Sequence, residues 1–210
     1  MKTFRLLAVR HGATDWSQAR RFAGSRDVPL TALGRLQAEA VTQALAGTPA
    51  AAVYTSPLER ARTSAEVIAK PHRLEPVVEP AFREMAFGAW EGLTRDELAA
   101  RFPAEAAAWA LTPHAVTPPR GEALPAVDAR ARAGLAAIIA RHPGQTVILV
   151  SHAIVTRLIV LAALGLAPER LWSVDASPAG ITEIEYQDGW ATVHRMNTLA
   201  HLDGVREEGP

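Results

Sequence analysis

The stretch Leu6-Leu7-Ala8-Val9-Arg10-His11-Gly12 decides the reading of this chain: four consecutive apolar residues stop at a cation, an imidazole and a glycine. A short uninterrupted apolar run is the pattern of a strand buried on both faces, and the polar turn behind it marks the strand's carboxyl end. The pattern returns late in the chain. Residues 146–150, Thr-Val-Ile-Leu-Val, are β-branched, alternate little and close in Ser151-His152, with an apolar helix expected directly behind over 154–166. Open α/β sheets bind ligands outside the carboxyl ends of their strands, so Arg10, His11 and His152 are expected at the mouth of the sheet.

Working outward, Thr31 is placed to cap a helix running to about residue 46, with Leu33, Leu36, Ala40, Val41 and Leu45 on one face and Gly47 as its stop. Residues 51–55 read as a strand. Residues 57–70 read as a helix with Pro57 in its first turn and Pro71 closing it. A third, weaker strand is expected over 74–79. Helical stretches over 95–111 and 122–140 flank a loop holding Pro113, Pro118, Pro119 and Pro125, which marks 95–125 as a lid or insertion. Residues 181–186 and 190–195, joined by Gln187-Asp188-Gly189, carry the signal of a hairpin. The tail 203–210 is expected to be loose. Strands alternating with helices and finished by a hairpin predict an α/β, three-layer αβα sandwich whose central sheet is mostly parallel with an antiparallel edge. No repeat or linker divides 1–202, so one domain is expected.

The bulk properties narrow the function classes. With 210 residues, 49% hydrophobic and 21% charged, the chain buries a substantial core, which argues against disorder or a fibrous repeat. Lys+Arg and Asp+Glu are both 22, so nothing in the overall charge points to nucleic acid or a membrane surface as partner. Lys2 and Lys70 are the only lysines, and the cationic side chains are otherwise arginines, which fork onto carboxylates and phosphates. The absence of cysteine removes disulfides, thiolate nucleophiles and Cys-ligated metals. The apolar start is broken at Arg10-His11 with no cleavage site behind it, and the run 158–167 is too short for a bilayer, so a cytoplasmic protein is expected. Apolar helix faces pack cores and dimer interfaces alike, which leaves monomer and homodimer both open.

Arg10-His11-Gly12 alone is also what a solvated surface turn looks like, and two strands that both end in His carry more weight. A metal reading ranks low because neither His has a further ligand at metal spacing and Arg10 would repel a cation. Arginines, histidines and helix-start N–H groups are instead what a phosphate dianion requires. Arg60, one helical turn past the 51–55 strand, adds to that set, although it could equally pair with a glutamate on a solvated face.

These residues resemble the histidine phosphatase superfamily, the phosphoglycerate-mutase-like fold. The likeness spans most of the chain: Arg10-His11-Gly12-Ala13-Thr14, Gly24, Asp27, Pro29-Leu30-Thr31, Gly34 and Gln37-Ala38, then Ser56-Pro57-Leu58 with Arg60-Ala61 and Thr63-Ser64-Ala65. It continues through Phe82-Arg83-Glu84-Met85-Ala86-Phe87-Gly88, Trp90-Glu91-Gly92 and Gly121-Glu122 to Val150-Ser151-His152. The resemblance implies His11 as nucleophile, forming a phosphohistidine while neutral, with Arg10 lowering its pKa and a backbone carbonyl fixing its tautomer. It implies Arg10, Arg60 and His152 as a clamp on the phosphate, with His152 expected to be protonated, and Glu84 as general acid with a raised pKa. Thr14, Ser17, Gly24 and Ala153 are implied as further phosphate contacts; Thr14 and Ser17 could equally cap a turn. Glu91 is the competing carboxylate, and Glu84 could instead pair with Arg83. Trp16 and Trp90 read as core or pocket wall, and His72, His114, His142, His194 and His201 have no matched role. No metal and no cofactor is implied.

Mutases of the superfamily usually carry Asn two residues after the second catalytic His, where this chain has Ile154, and an Arg-Arg pair in the insertion that holds the substrate carboxylate, where Arg120 stands alone. The segment from Phe87 to Gly92 is similar to the phosphatase branches. A metal-independent phosphatase acting on a small phosphate ester is therefore expected. The alternatives are a 2,3-bisphosphoglycerate-dependent phosphoglycerate mutase and a non-catalytic phosphate- or protein-binding module. Ala13, Ser17 and Ala123 depart from residues frequent in the family and bear on the substrate rather than on the catalytic roles.

Overall fold

The structure, a computed structural model, describes residues 2–205. Its strands are β1 (Phe4–Arg10), β2 (Ala50–Thr55), β3 (Val77–Val78), β4 (Thr146–Ser151), β5 (Ile181–Gln187) and β6 (Trp190–Thr198). Its α-helices are α1 (Asp15–Gln18), α2 (Ala32–Leu45), α3 (Glu59–Ala69), α4 (Arg95–Arg101), α5 (Pro103–Leu111), α6 (Leu124–Arg141) and α7 (Ala153–Ala163). The strands form one sheet in the order β3-β2-β4-β1-β5-β6. β3, β2, β4 and β1 run parallel, and β5 and β6 add the antiparallel edge.

The apolar runs in the sequence follow from burial on two sides. Leu6 and Ala8 of β1 and Val147 and Leu149 of β4 face a core built with α6 and α7. Their neighbours Leu7, Val9, Ile148 and Val150 face a second core built with α2 and α3. Side chains alternate along a strand, so a strand covered by helices on both faces needs an apolar residue at every position. This is the expected αβα sandwich, and among the described residues no helix is long and apolar enough to cross a membrane.

Several local expectations shift. Thr31 caps α2, its hydroxyl accepting from Gly34 N at 3.0 Å, but the buried face is Gly34, Ala38, Val41 and Leu45, and Leu36 is exposed. Gly34 faces inward because its α-carbon lies against the backbone of Ala13, while Gly12 lies against the backbone of Gly34; a β-carbon on either would overlap the other segment. Helix α3 starts at Glu59 rather than Pro57, since Leu58 is extended with ψ 137° and its N–H is taken by Ser56 Oγ. The third strand shrinks to two residues because Pro76 and Pro80, which have no N–H to give, bound it. The 95–111 helix breaks at Phe102 (φ −136°, ψ 61°), as the residue before a proline disfavours helical backbone. Pro125 belongs to the first turn of α6 rather than to the loop. The hairpin turn has positive φ at both Asp188 and Gly189, as its Asp-Gly signal requires. The expected loose tail falls largely on 206–210, outside the described residues.

Candidate active site

The sheet order brings three strand ends together. β4 lies between β1 and β2, and Arg10 is in register with Ser151. His11 N donates to Ser151 O at 3.0 Å and Ser56 N to Val150 O at 3.2 Å, which aligns the turns after β1, β4 and β2. His11, Ser56 and His152 are consequently neighbours although far apart in sequence. The two imidazole centroids lie 5.1 Å apart.

Each of these side chains is buried and oriented. His11 Nδ1 meets Gly12 O at 2.7 Å, so the proton sits on Nδ1 and Nε2 keeps its lone pair. Arg60 Nε donates to that Nε2 at 3.2 Å. Arg60 is only 1% exposed, and its other nitrogens donate to Arg26 O at 2.7 Å and Gly24 O at 2.8 Å. The solvated-face alternative for Arg60 is thereby removed. Arg10 donates to Ala176 O at 2.7 Å from the loop before β5, and Ala179 N in the same loop bonds back to Arg10 O and His11 O. His152 Nε2 meets Ser56 Oγ at 2.7 Å.

Burial, with Arg60 and Arg10 adding to it, holds His11 well below the usual imidazole range. The lowering expected of the His11 pKa has burial rather than Arg10 as its main cause. For His152, burial first and then Arg60 depress the pKa well below the usual imidazole range, a direction opposite to the expected protonation.

Glu84 does not pair with Arg83. Its carboxylate accepts from Met85 N at 3.0 Å and from Ile154 N at 3.3 Å, and burial raises its pKa despite Arg60 and Arg10. Arg130 of α6 holds the segment in place by donating to the carbonyls of Ala81 at 2.7 Å and Arg83 at 2.6 Å while paired with Glu122 at 2.8 Å. This gives Glu122 a structural role, and Arg130 itself carried no signal in the sequence. Glu91, the competing carboxylate, accepts from Ser25 N, Ser25 Oγ and Phe87 N at 2.8, 2.9 and 3.1 Å and, unlike Glu84, does not line the cavity that His11 lines.

Arg10, His11, Arg60 and Glu84 line a cavity of about 400 Å³, and so do Thr14, Ser17, Gly24 and Ala153. Thr14 and Ser17 act as a capping box on α1, Ser17 N donating to Thr14 Oγ1 at 3.1 Å and Thr14 N to Ser17 Oγ at 2.9 Å. Gly24 has φ +53°, and Glu91 occupies the space a side chain would need. Trp90 is core, and Trp16 lies against Gly92. The walls that sequence reasoning missed include Arg20, Arg21, Phe22, Ala23, Arg95, Arg157, Trp109 and Trp172. Arg120 is exposed and lines no part of this cavity, whereas Arg95, at the start of the insertion, does. Among the described residues, no group of three or more His, Asp and Glu could hold a metal ion.

The sequence pattern of the histidine phosphatase superfamily (branch 1) matches residues 6–199. Phosphoserine phosphatase 1 of Hydrogenobacter thermophilus is 30% identical over 94% of this chain and 94% of its own. A probable phosphoglycerate mutase, GpmB of Photorhabdus laumondii, is 32% identical over 93% of each chain. The native structure of mycobacterial glucosyl-3-phosphoglycerate phosphatase Rv2419c superposes with a TM-score of 0.86 at 27% identity, over 94% of this chain and all of the other.

Proposed function

The chain belongs to the histidine phosphatase superfamily, branch 1, and on that premise we propose that it is a phosphomonoesterase that hydrolyses small phosphorylated metabolites through a phosphohistidine on His11. The pairing at His11 carries the reading. With Nδ1 tied to Gly12 O, the lone pair of Nε2 is turned toward the cationic side chain of Arg60. A neutral imidazole presenting a lone pair beside a buried guanidinium is suited to attack a phosphate dianion.

In the first step Nε2 attacks phosphorus, the bond from phosphorus to the leaving oxygen breaks, and Glu84 gives that oxygen its proton. Water then attacks the phosphohistidine, Glu84 takes the water's proton, and the phosphorus–nitrogen bond breaks to release phosphate and neutral His11. Arg10 and Arg60 supply the positive charge facing the nonbridging oxygens, so turnover is expected to persist without a divalent cation. Arg10 Nε and His152 Nδ1 are buried and lack hydrogen-bond partners among the described residues, capacity that phosphate oxygens would fill. The raised pKa of Glu84 supports its part, since the group must hold a proton when the ester is bound. The domain 1–202 acts as one unit, its 95–125 segment shaping the cavity.

The test is phosphate release from an aryl phosphate in EDTA with His11→Ala as blank, together with acid and base quench of labelled substrate. Release that depends on His11, through an acid-labile and base-stable phosphoenzyme, is expected. An acid-stable adduct assigns another nucleophile. Interconversion of phosphoglycerates without net release, primed by the bisphosphate, replaces the reading with a mutase. A protein that binds phosphate without turning over any ester is the non-catalytic module.

A further inference from the structure

The loop over residues 175–180, just before β5, grips the end of β1. Ala176 O accepts from Arg10 Nη1 at 2.7 Å, and Ala179 N donates to Arg10 O at 3.0 Å and to His11 O at 3.1 Å. Arg10 N donates back to Gly180 O at 3.3 Å. Ala176 and Ala179 are buried, and Ala179 has φ +57°, a conformation that a residue with a β-carbon keeps only where its surroundings impose it.

The surroundings that impose it come from the far end of the chain. Ile181 lies opposite Thr198 and Glu183 opposite Arg195, so β6 carries one residue more than β5 over this stretch. A bulge of this kind re-aims a side chain away from the ladder. Asn197 sits in it with φ +48° and reaches across to the loop: its Oδ1 accepts from Ser177 N at 2.7 Å, and its Nδ2 donates to Ser177 Oγ at 3.1 Å and Asp175 Oδ2 at 3.2 Å. Gly180 makes the approach possible, since a β-carbon there would overlap Asn197 Oδ1. In the turn Ala200–Leu202, His201 Nε2 donates to Ala179 O at 3.0 Å, on the same residue whose N–H holds Arg10 and His11. Leu202 anchors that turn by packing against the core that includes Val9, Val41 and Leu45.

None of these side-chain bonds belongs to the β5–β6 ladder; each ends on the loop that carries Arg10. Resting on the phosphatase reading above, we propose that Asn197 and His201 are positioning residues for the phosphate clamp, fixing the 175–180 loop and through it the guanidinium of Arg10 and the backbone of His11. Charge that stabilises a transition state works best when it is held before the substrate arrives. Asp175, oriented by Asn197, has a second effect: burial lowers the pKa of Arg10 to about 10, and Glu84 and Asp175 act against that fall.

The experiment reads the clamp with orthovanadate, a phosphate mimic, by titration calorimetry, because a dissociation constant does not depend on how much of the sample is folded. Glycine suits the positive φ, so Asn197→Gly keeps the backbone and deletes only the three side-chain bonds. Its vanadate Kd is expected to rise, and its kcat/KM for aryl phosphate to fall, by about tenfold. His201→Ala is expected to change both by about threefold, one hydrogen bond being lost, and His201→Gln, whose amide nitrogen stands where Nε2 stood, to restore them. In an Arg10→Lys background, adding Asn197→Gly is expected to shift the vanadate Kd by less than about twofold, since residues acting through one another are not additive. Wild-type values in Asn197→Gly and His201→Ala, or an undiminished effect of Asn197→Gly beside Arg10→Lys, overturn the proposal; failure of His201→Gln to restore binding removes His201 from it. If the wild-type chain gives no His11-dependent phosphate from aryl phosphate, the phosphatase reading fails first; turnover that is indifferent to Asn197 and His201 removes this proposal alone.

Discussion

The two ends of the cavity are built in opposite ways. Around His11, the side chains of His11, Arg60, Glu84 and His152 are buried and tied to named backbone or hydroxyl groups: His11 to Gly12, Arg60 to Gly24 and Arg26, Glu84 to Met85 and Ile154, His152 to Ser56. At the other end, Arg20 and Arg95 are exposed and without such ties, and Arg95, at the start of α4, lies over Trp172 of the turn Pro168–Ser173. Charge that must stabilise a transition state is most effective when it does not reorganise, so the phosphate end is rigid. Selection among substrates tolerates variation at the other end, because it adds binding energy without altering the chemical step.

His11→Ala breaks the contrast most severely, with an expected loss on the order of 10⁴-fold or more in kcat for aryl phosphate and no trapped phosphoenzyme. Glu84→Gln is next: hydrolysis of alkyl phosphates is expected to fall by about 10² to 10⁴-fold, and that of a good aryl leaving group far less. Equal slowing of both classes would count against Glu84 as the acid. The same pair of groups sets the pH profile. His11, depressed by burial, loses its proton well below its ordinary 6.5, so activity is retained as pH falls past that value. Glu84 must be protonated and its pKa is raised above 4.5, so activity falls as pH rises through the raised value, and Glu84→Gln removes this alkaline limb.

A smaller effect sharpens the comparison from within the phosphate end. Ser56→Ala deletes the partner of His152 Nε2 and the acceptor for Leu58 N, and is expected to lower kcat about tenfold while the fold persists. The smallest change is expected at the opposite end: Arg20→Ala removes no ion pair and is expected to shift unfolding free energy by less than about 0.5 kcal/mol in a urea titration. A larger shift would show that this wall is as tightly wired as the phosphate end.

The fold and the meeting of His11 and His152 at the strand ends were largely legible in the sequence because their signals are local. Two-sided burial demands continuous apolar strands, and Arg10-His11 and Ser151-His152 directly follow two of them. The capping role of Thr31 and the Asp-Gly hairpin turn were equally local. The errors arose where a neighbour remote in sequence decides. Leu36 fits a helical stripe, yet close approach of Ala13 turns Gly34 inward and rotates the face. The protonation of His152 depends on depth of burial, which its sequence context does not convey.

By itself, the sequence determined the order of strands and helices, the two-sided sheet, the family and the set of groups that can handle a phosphate. The first two rest on periodicity and on residues adjoining strand ends; the family and the phosphate-handling set rest on the resemblance carried by motifs along most of the chain. Only the tertiary structure decided that β4 lies between β1 and β2, so that residues 11, 56 and 152 meet. It also decided that Arg130 clamps the Glu84 segment and that Arg95 and Arg157 share the face of one tryptophan. Such contacts between remote segments are selected by packing, which leaves no periodic trace in the chain.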